Sequence, residues 1–118
     1  MNRAGIKSLL ESATLIKVYP DFIRNGVALP AIAFDHGVNV RTGRDISGKA
    51  SGKSDTWRVT IIGKSRSECD DIVSQIELLD GTSDANFALV EVLSITDGFV
   101  SEKDKEFRIS VDLRTFDK

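Results

Sequence analysis

Cysteine occurs once and histidine once in 118 residues. One cysteine forms no internal disulfide, so nothing in the chain requires an oxidising compartment. One histidine and one cysteine also fall short of the four side chains of an ordinary zinc site. No apolar run approaches the roughly 20 residues needed to span a bilayer. The segment MNRAGIKSLLESATLIKVYP lacks the unbroken apolar stretch of a secretory leader, because Lys7, Ser8, Glu11 and Ser12 interrupt it. Neither sign of charge dominates: Lys and Arg number 16 against 18 Asp and Glu, a net −2, which excludes the overall basic excess of a dedicated nucleic-acid domain. What is present, 41% hydrophobic and 29% charged residues, suits one globular domain over 1–118. The expectation is a soluble cytoplasmic or virion domain with no membrane association.

Ile6, Leu9, Leu10 and Ala13 have the i, i+3, i+4, i+7 spacing of one helical face, with Asn2 placed to cap the helix and Pro20 to follow its end. From Pro30 the period becomes two. Ile32, Phe34, Val38 and Val40 share one parity, the pattern of a half-buried strand. Thr56 to Gly63 is a second strand, with Trp57, Val59 and Ile61 on one parity. Between them, residues 37–54 hold four glycines and three serines. That composition predicts a long flexible loop at the tip of a hairpin.

Ser65 to Leu79 is predicted helical. Cys69, Ile72, Val73, Ile76 and Leu79 form a stripe, Ser65 and Glu68 have capping-box spacing, and Gly81 suits a left-handed terminator. Phe87 to Ile95 carries apolar residues on both parities, which predicts a central strand. Phe107, Ile109, Val111 and Leu113 alternate with Arg108, Ser110, Asp112 and Arg114 in a last strand with one wet, charged face. The expected fold is α+β: an antiparallel four-stranded sheet with two helices packed on one face, in the order α-β-β-α-β-β.

Catalytic chemistry finds little support. His36 falls on the apolar parity of the first strand, and the sequence places neither a nucleophile nor an orienting carboxylate beside it. Cys69 lies on the stripe of the second helix, where cysteine behaves as a small hydrophobe. The glycines do not match GxxxxGK[ST]; Gly52-Lys53-Ser54 ends like that motif but precedes a strand. The chain is therefore expected to be no enzyme and to need no cofactor or metal.

The 37–54 segment is also basic: Arg41, Arg44, Lys49 and Lys53 against Asp45 give a local charge of +3. Three readings stay open for it: a solvated loop, a non-specific contact to a nucleic-acid backbone joined by Arg58, or a segment ordered on a protein partner. It has no interleaved aromatics and so lacks the stacking platform of a single-strand binder.

In this layout the chain resembles the tail terminator or tail-completion (minor tail) proteins of long-tailed bacteriophages and prophages. The residues that carry the resemblance are Leu9-Leu10, Val18-Tyr19-Pro20, Ala28-Leu29-Pro30, Trp57-Arg58-Val59-Thr60-Ile61, Ile72-Val73, Leu78-Leu79-Asp80-Gly81 and the closing Arg108 to Phe116. The 37–54 segment is longer and more basic than in the simplest members. The resemblance implies a homo-oligomeric ring, typically hexameric, that caps the tail tube, ends its growth and offers a docking surface for the head. The implied partners are further copies of the chain, the tail tube protein and a head-completion or connector protein, with genome DNA passing through the ring. The implied location is the head-proximal end of the tail, and the host cytoplasm during assembly. Arg41, Arg44, Lys49 and Lys53 become a tube or channel contact under this reading, and Arg108, Asp112 and Arg114 a partner-facing sheet surface. A head-completion or connector-adaptor protein of the same virion, or a small non-specific nucleic-acid-binding module, are the alternatives.

Overall fold

The computed structural model describes residues 3–21, 28–44, 50–97 and 106–117, with 38–44 and 50–53 described by backbone alone. The elements run α1 (Arg3–Thr14), β1 (Val18–Pro20), β2 (Ala31–Arg44), β3 (Ala50–Gly63), α2 (Arg66–Glu77), β4 (Phe87–Asp97) and β5 (Phe107–Asp117). The five strands form one sheet in the order β1-β2-β3-β5-β4. The α+β class and both helices are as the sequence predicts. The sheet is five-stranded and mixed rather than four-stranded and antiparallel, because β1 pairs parallel to β2 through Val18–Ile32. Three residues are too few for a periodic signal, so β1 is invisible to pattern reading.

α1 buries Ile6, Leu9 and Leu10, the predicted stripe; Asn2, its expected cap, lies outside the described residues. The helix ends where Leu15 takes φ +58. At α2, Ser65 Oγ accepts from the Glu68 amide at 3.1 Å, and Glu68 Oε1 accepts from the Lys64 amide at 3.0 Å. The capping pair thus satisfies two of the amides that a helix start leaves open. Cys69, Ile72, Val73 and Ile76 then face the sheet, and Gly81, at φ +78, follows the helix in the left-handed region.

Both helices cover one sheet face, and their stripes meet Ile32, Phe34, Trp57, Val59, Ile61, Ile109, Val111 and Leu113 in one core. Trp57, fully buried in the most central strand, meets Phe34 edge to face at 5.9 Å and donates from Nε1 to Thr115 Oγ1 at 2.9 Å. That bond satisfies an indole N–H that would otherwise be costly to bury.

Two further expectations are corrected. The predicted loop of 37–54 is mostly strand: β2 runs to Arg44 and β3 starts at Ala50, in register from Val38–Thr56 to Arg44–Ala50. The antiparallel ladder needs only backbone donors and acceptors, so glycine and serine do not prevent it. At about 3.3 Å per residue, 14-residue strands reach ~46 Å, most of the 57 Å long axis. The parity of β2 also breaks at Gly37, an extra residue between His36–Trp57 and Val38–Thr56. Val38 and Val40 therefore do not continue the register of Ile32 and Phe34. A Cβ on Gly37 would lie 3.2 Å from the Thr56 carbonyl oxygen, which explains glycine at the bulge.

The second correction concerns β4, which is an edge strand rather than a central one. Its apolar residues fall on both parities because extra residues at Ala88 and Leu93 shift the register twice against β5. Phe87 and Val90, three apart, are thereby both fully buried.

Candidate assembly surfaces

Three surfaces stand out: the extension of the β2–β3 hairpin, the open sheet face and the outer edge of β4. The hairpin outruns the sheet. Among the described residues, β5 pairs with β3 only from Ser54 onward and β1 covers only Ile32 to Phe34 of β2, so 41–44 and 50–53 form a two-stranded arm there. Four residues at about 3.3 Å each project it ~13 Å past the third strand. Arg41 stands directly opposite Lys53, and Arg44 opposite Ala50; Lys49 lies outside the described residues. Like charges in directly opposed positions destabilise a ladder unless an anion lies nearby.

The arm's root is fastened by a polar pair. His36 Nε2 lies 2.7 Å from Asp55 Oδ1, with Asp55 fully buried, and the imidazole meets Trp57 edge-on at 5.0 Å. An ionised carboxylate only accepts, so Nε2 donates. The carboxylate that the sequence did not place beside His36 is therefore Asp55, brought there by β-pairing across 19 positions. The pair ties β2 to β3 where the arm leaves the body.

Arg108, Asp112 and Arg114 lie together on the face away from the helices, as their alternation predicts, and each is paired within the chain. Arg58 Nε donates to Asp112 Oδ1 at 3.2 Å and Ser94 Oγ to Asp112 Oδ2 at 3.1 Å. Arg114 donates twice to Glu91 Oε2, at 3.1 and 2.8 Å, and its guanidinium lies 5.7 Å from the Phe116 ring centre. Arg108 and Glu106 are 3.5 Å apart. Exposed pairs of this kind contribute about 0–1 kcal/mol each. They fix the charge pattern of the face more than its stability.

The third surface carries no sequence motif. The first half of β4 is covered on its outer side: Gly81 and Thr82 exchange backbone bonds with Val90, and Asp80 Oδ1 accepts from the Val92 amide at 2.9 Å. From Leu93 to Asp97 no strand borders that edge among the described residues. Beside it lies an open groove of about 380 Å³ lined by Glu77, Asp80, Val92, Leu93, Ser94 and Ile95. Leu93 and Ile95 are each 44% exposed, and Leu78 at the adjoining helix end is 78% exposed. The last turn of α2 carries Glu77 and no basic residue, so the negative end of the helix dipole is uncompensated there. The pattern FALVEVLSI holds the clue only in hindsight, since an outward Ile95 reads like a buried one.

Among the described residues no group of three or more His, Cys, Asp or Glu side chains is placed to hold a metal. No helix among them is long and apolar enough to cross a membrane. Cys69 is fully buried, with Sγ 3.5 Å from the Phe107 carbonyl. Burial pushes its thiol pKa up, and the negative charges of Glu68 and Asp70 push the same way.

No family model matches the chain, and no curated protein matches it. Solved structures do. A chain from the virion of a native gene transfer agent particle aligns at TM-score 0.55 and 14% identity, covering 93% of this chain and 84% of that one. A second solved chain, which carries no descriptive name, aligns at TM-score 0.56 and 13% identity over 96% and 87% of the two chains. At such identities the likeness is one of fold.

Proposed function

We propose that this chain is a structural protein of a tailed phage or phage-like particle, without catalytic activity, that forms a ring on the head-proximal end of the tail tube. There it ends tube growth and presents the surface on which the head docks. The observation that carries the reading is the fold likeness, over 93% of the chain, to a component of a gene transfer agent virion. The resemblance of its residues to tail terminators narrows the role from virion component to tube cap.

The surfaces suit that role physically. A closed ring made by head-to-tail contact needs two different patches on each subunit. The arm and the β4 edge are two such patches, at opposite ends of the sheet. The third surface, the face bearing Arg108, Asp112 and Arg114, is left for the tube or the connector, where charge pattern sets register and partner choice more than affinity. A contact of the arm bearing Arg41, Arg44 and Lys53 with the tube, or with DNA in the channel and without sequence specificity, is the competing use of that arm.

Size-exclusion chromatography with light scattering, over a wide range of protein concentration and with negative-stain imaging, tests the reading. A closed particle of about six copies, alone or on purified tail tubes, is expected. A chain that stays monomeric at every concentration and places no ring on tube ends would overturn it. Rings that bind the connector and leave tubes untouched would reassign the protein to the neck.

A further inference from the structure

We infer that the basic β2–β3 arm of one copy docks as added strands on the acidic open edge of β4 in the next copy, and that this contact closes the ring. The inference rests on the ring reading above and names the contact that makes it.

The two surfaces complement each other in backbone, charge and apolar character. Among the described residues, no strand borders the outer edge of β4 from Leu93 to Asp97, and no third strand joins the arm beyond Ser54. A free edge is satisfied by another extended segment, which gives affinity through main-chain bonds. The groove beside the edge carries Glu77 and Asp80 at an uncompensated helix C-terminus. The arm carries Arg41 opposite Lys53, with Arg44 beyond them. By sequence and register, each side carries a local excess of one sign of charge. Leu93 and Ile95, half-exposed, supply the apolar centre.

The placement forbids the contact within one copy. Ser54, where the arm begins, is level with Phe116, whereas Asp97 is level with Ile109, seven positions along β5. At about 3.3 Å per residue, the open stretch of the β4 edge lies ~13 Å (Ser94, level with Asp112) to ~23 Å (Asp97) back along the sheet from the arm's root. It also lies two strands away, and the arm points in the opposite direction. An arm that cannot reach its own edge reaches a neighbour's, which is a heterologous contact of the kind that propagates into a ring.

The test is a charge-swap complementation. One variant, Arg41→Glu/Lys53→Glu, reverses the arm; the other, Glu77→Lys/Asp80→Asn, reverses the groove and keeps an acceptor for the Val92 amide. Each variant alone brings like charges together at every contact, and the concentration at which rings form is expected to rise about a hundredfold. An equal mixture is expected to restore rings, because each reversed arm meets a reversed groove and each native arm a native groove in alternation. Native mass spectrometry reads the alternation directly as equal numbers of the two variants in each ring. The restoration also shows that both variants fold.

If wild-type rings form and both variants form them equally well, the arm–edge contact is refuted while the ring reading stands. Variants that lose the ring and do not recover on mixing refute the contact as well. Rings that persist in the arm variant while duplex DNA binding is lost would assign the arm to nucleic acid instead. A wild-type chain that never associates overturns both readings together.

Discussion

Replacing His36 by Phe isolates the bond that fastens the arm's root. Phenylalanine keeps a ring at the edge-on contact with Trp57, 5.0 Å between centroids, and removes the donor 2.7 Å from Asp55 Oδ1. Asp55 is fully buried, so water does not replace the lost donor. Removing a hydrogen bond to a buried charged group costs about 1.5–3 kcal/mol, and the larger apolar ring offsets a fraction of it, leaving ~2 kcal/mol. A chain of 118 residues has an unfolding entropy of roughly 250 cal/mol/K near its midpoint, so ~2 kcal/mol lowers Tm by about 8 °C. Urea unfolding and calorimetry measure both quantities. The partner substitution supplies the control. In His36→Phe/Asp55→Asn the buried charge is gone, and at least ~1 kcal/mol of the loss is expected to return as a coupling term. A His36→Phe variant within ~0.5 kcal/mol of wild type, or strict additivity with Asp55→Asn, would refute the assignment.

Two further predictions concern the helix–sheet packing. A Cβ on Gly63 would lie 2.7 Å from Cys69 Sγ and 3.2 Å from Glu68 Oε1, so Gly63→Ala is expected to cost about 1–2 kcal/mol through overpacking. Gly63→Ala/Cys69→Ala should recover most of the steric part in urea denaturation, and two fully additive costs would contradict the clash. The raised pKa of the Cys69 thiol has a sign that can be measured. Above about pH 9.0 the unfolded chain loses the thiol proton while the folded chain keeps it, so stability falls as pH rises through that range, and Cys69→Ala removes this component. Maleimide labelling of the native protein at pH 8 is expected to be slow and to track unfolding; rapid labelling would show the thiol to be accessible.

The helices were legible in the sequence because their signals are local. The capping pair Ser65 and Glu68 and the stripe Cys69, Ile72, Val73 and Ile76 act within one or two turns, and the structure reproduces both. Strand positions were legible only until a bulge intervened. The parity read through Ile32 and Phe34 fails at Gly37, and the two-sided pattern of β4 reflects bulges at Ala88 and Leu93 rather than a central place in the sheet. A bulge is decided by the partner strand, which a single segment does not encode.

The same limit applies to the surfaces. Arg108, Asp112 and Arg114 could be set on one face by alternation alone, and the pair Arg108–Glu106, two residues apart, is local, but the pairing of Asp112 with Arg58 and of Arg114 with Glu91 depends on neighbouring strands. The basic character of residues 37–54 was visible in composition, whereas the strand conformation of 41–44 and 50–53 was not, since low apolar content argued for a loop. The groove beside β4 had no signal, because it arises where Glu77 and Asp80 at the end of α2 meet the outward side of Ile95.

Capping is the central claim, and tube growth is its most direct measure. Purified tail tube protein, polymerising with and without this chain and imaged in negative stain over time, reports the length distribution and the state of each tube end. Tubes that stop lengthening once a ring sits on one end, at a protein-to-tube ratio of about six copies, are the predicted result. Tubes that lengthen at an unchanged rate with the protein present, and with bare ends throughout, would contradict the account.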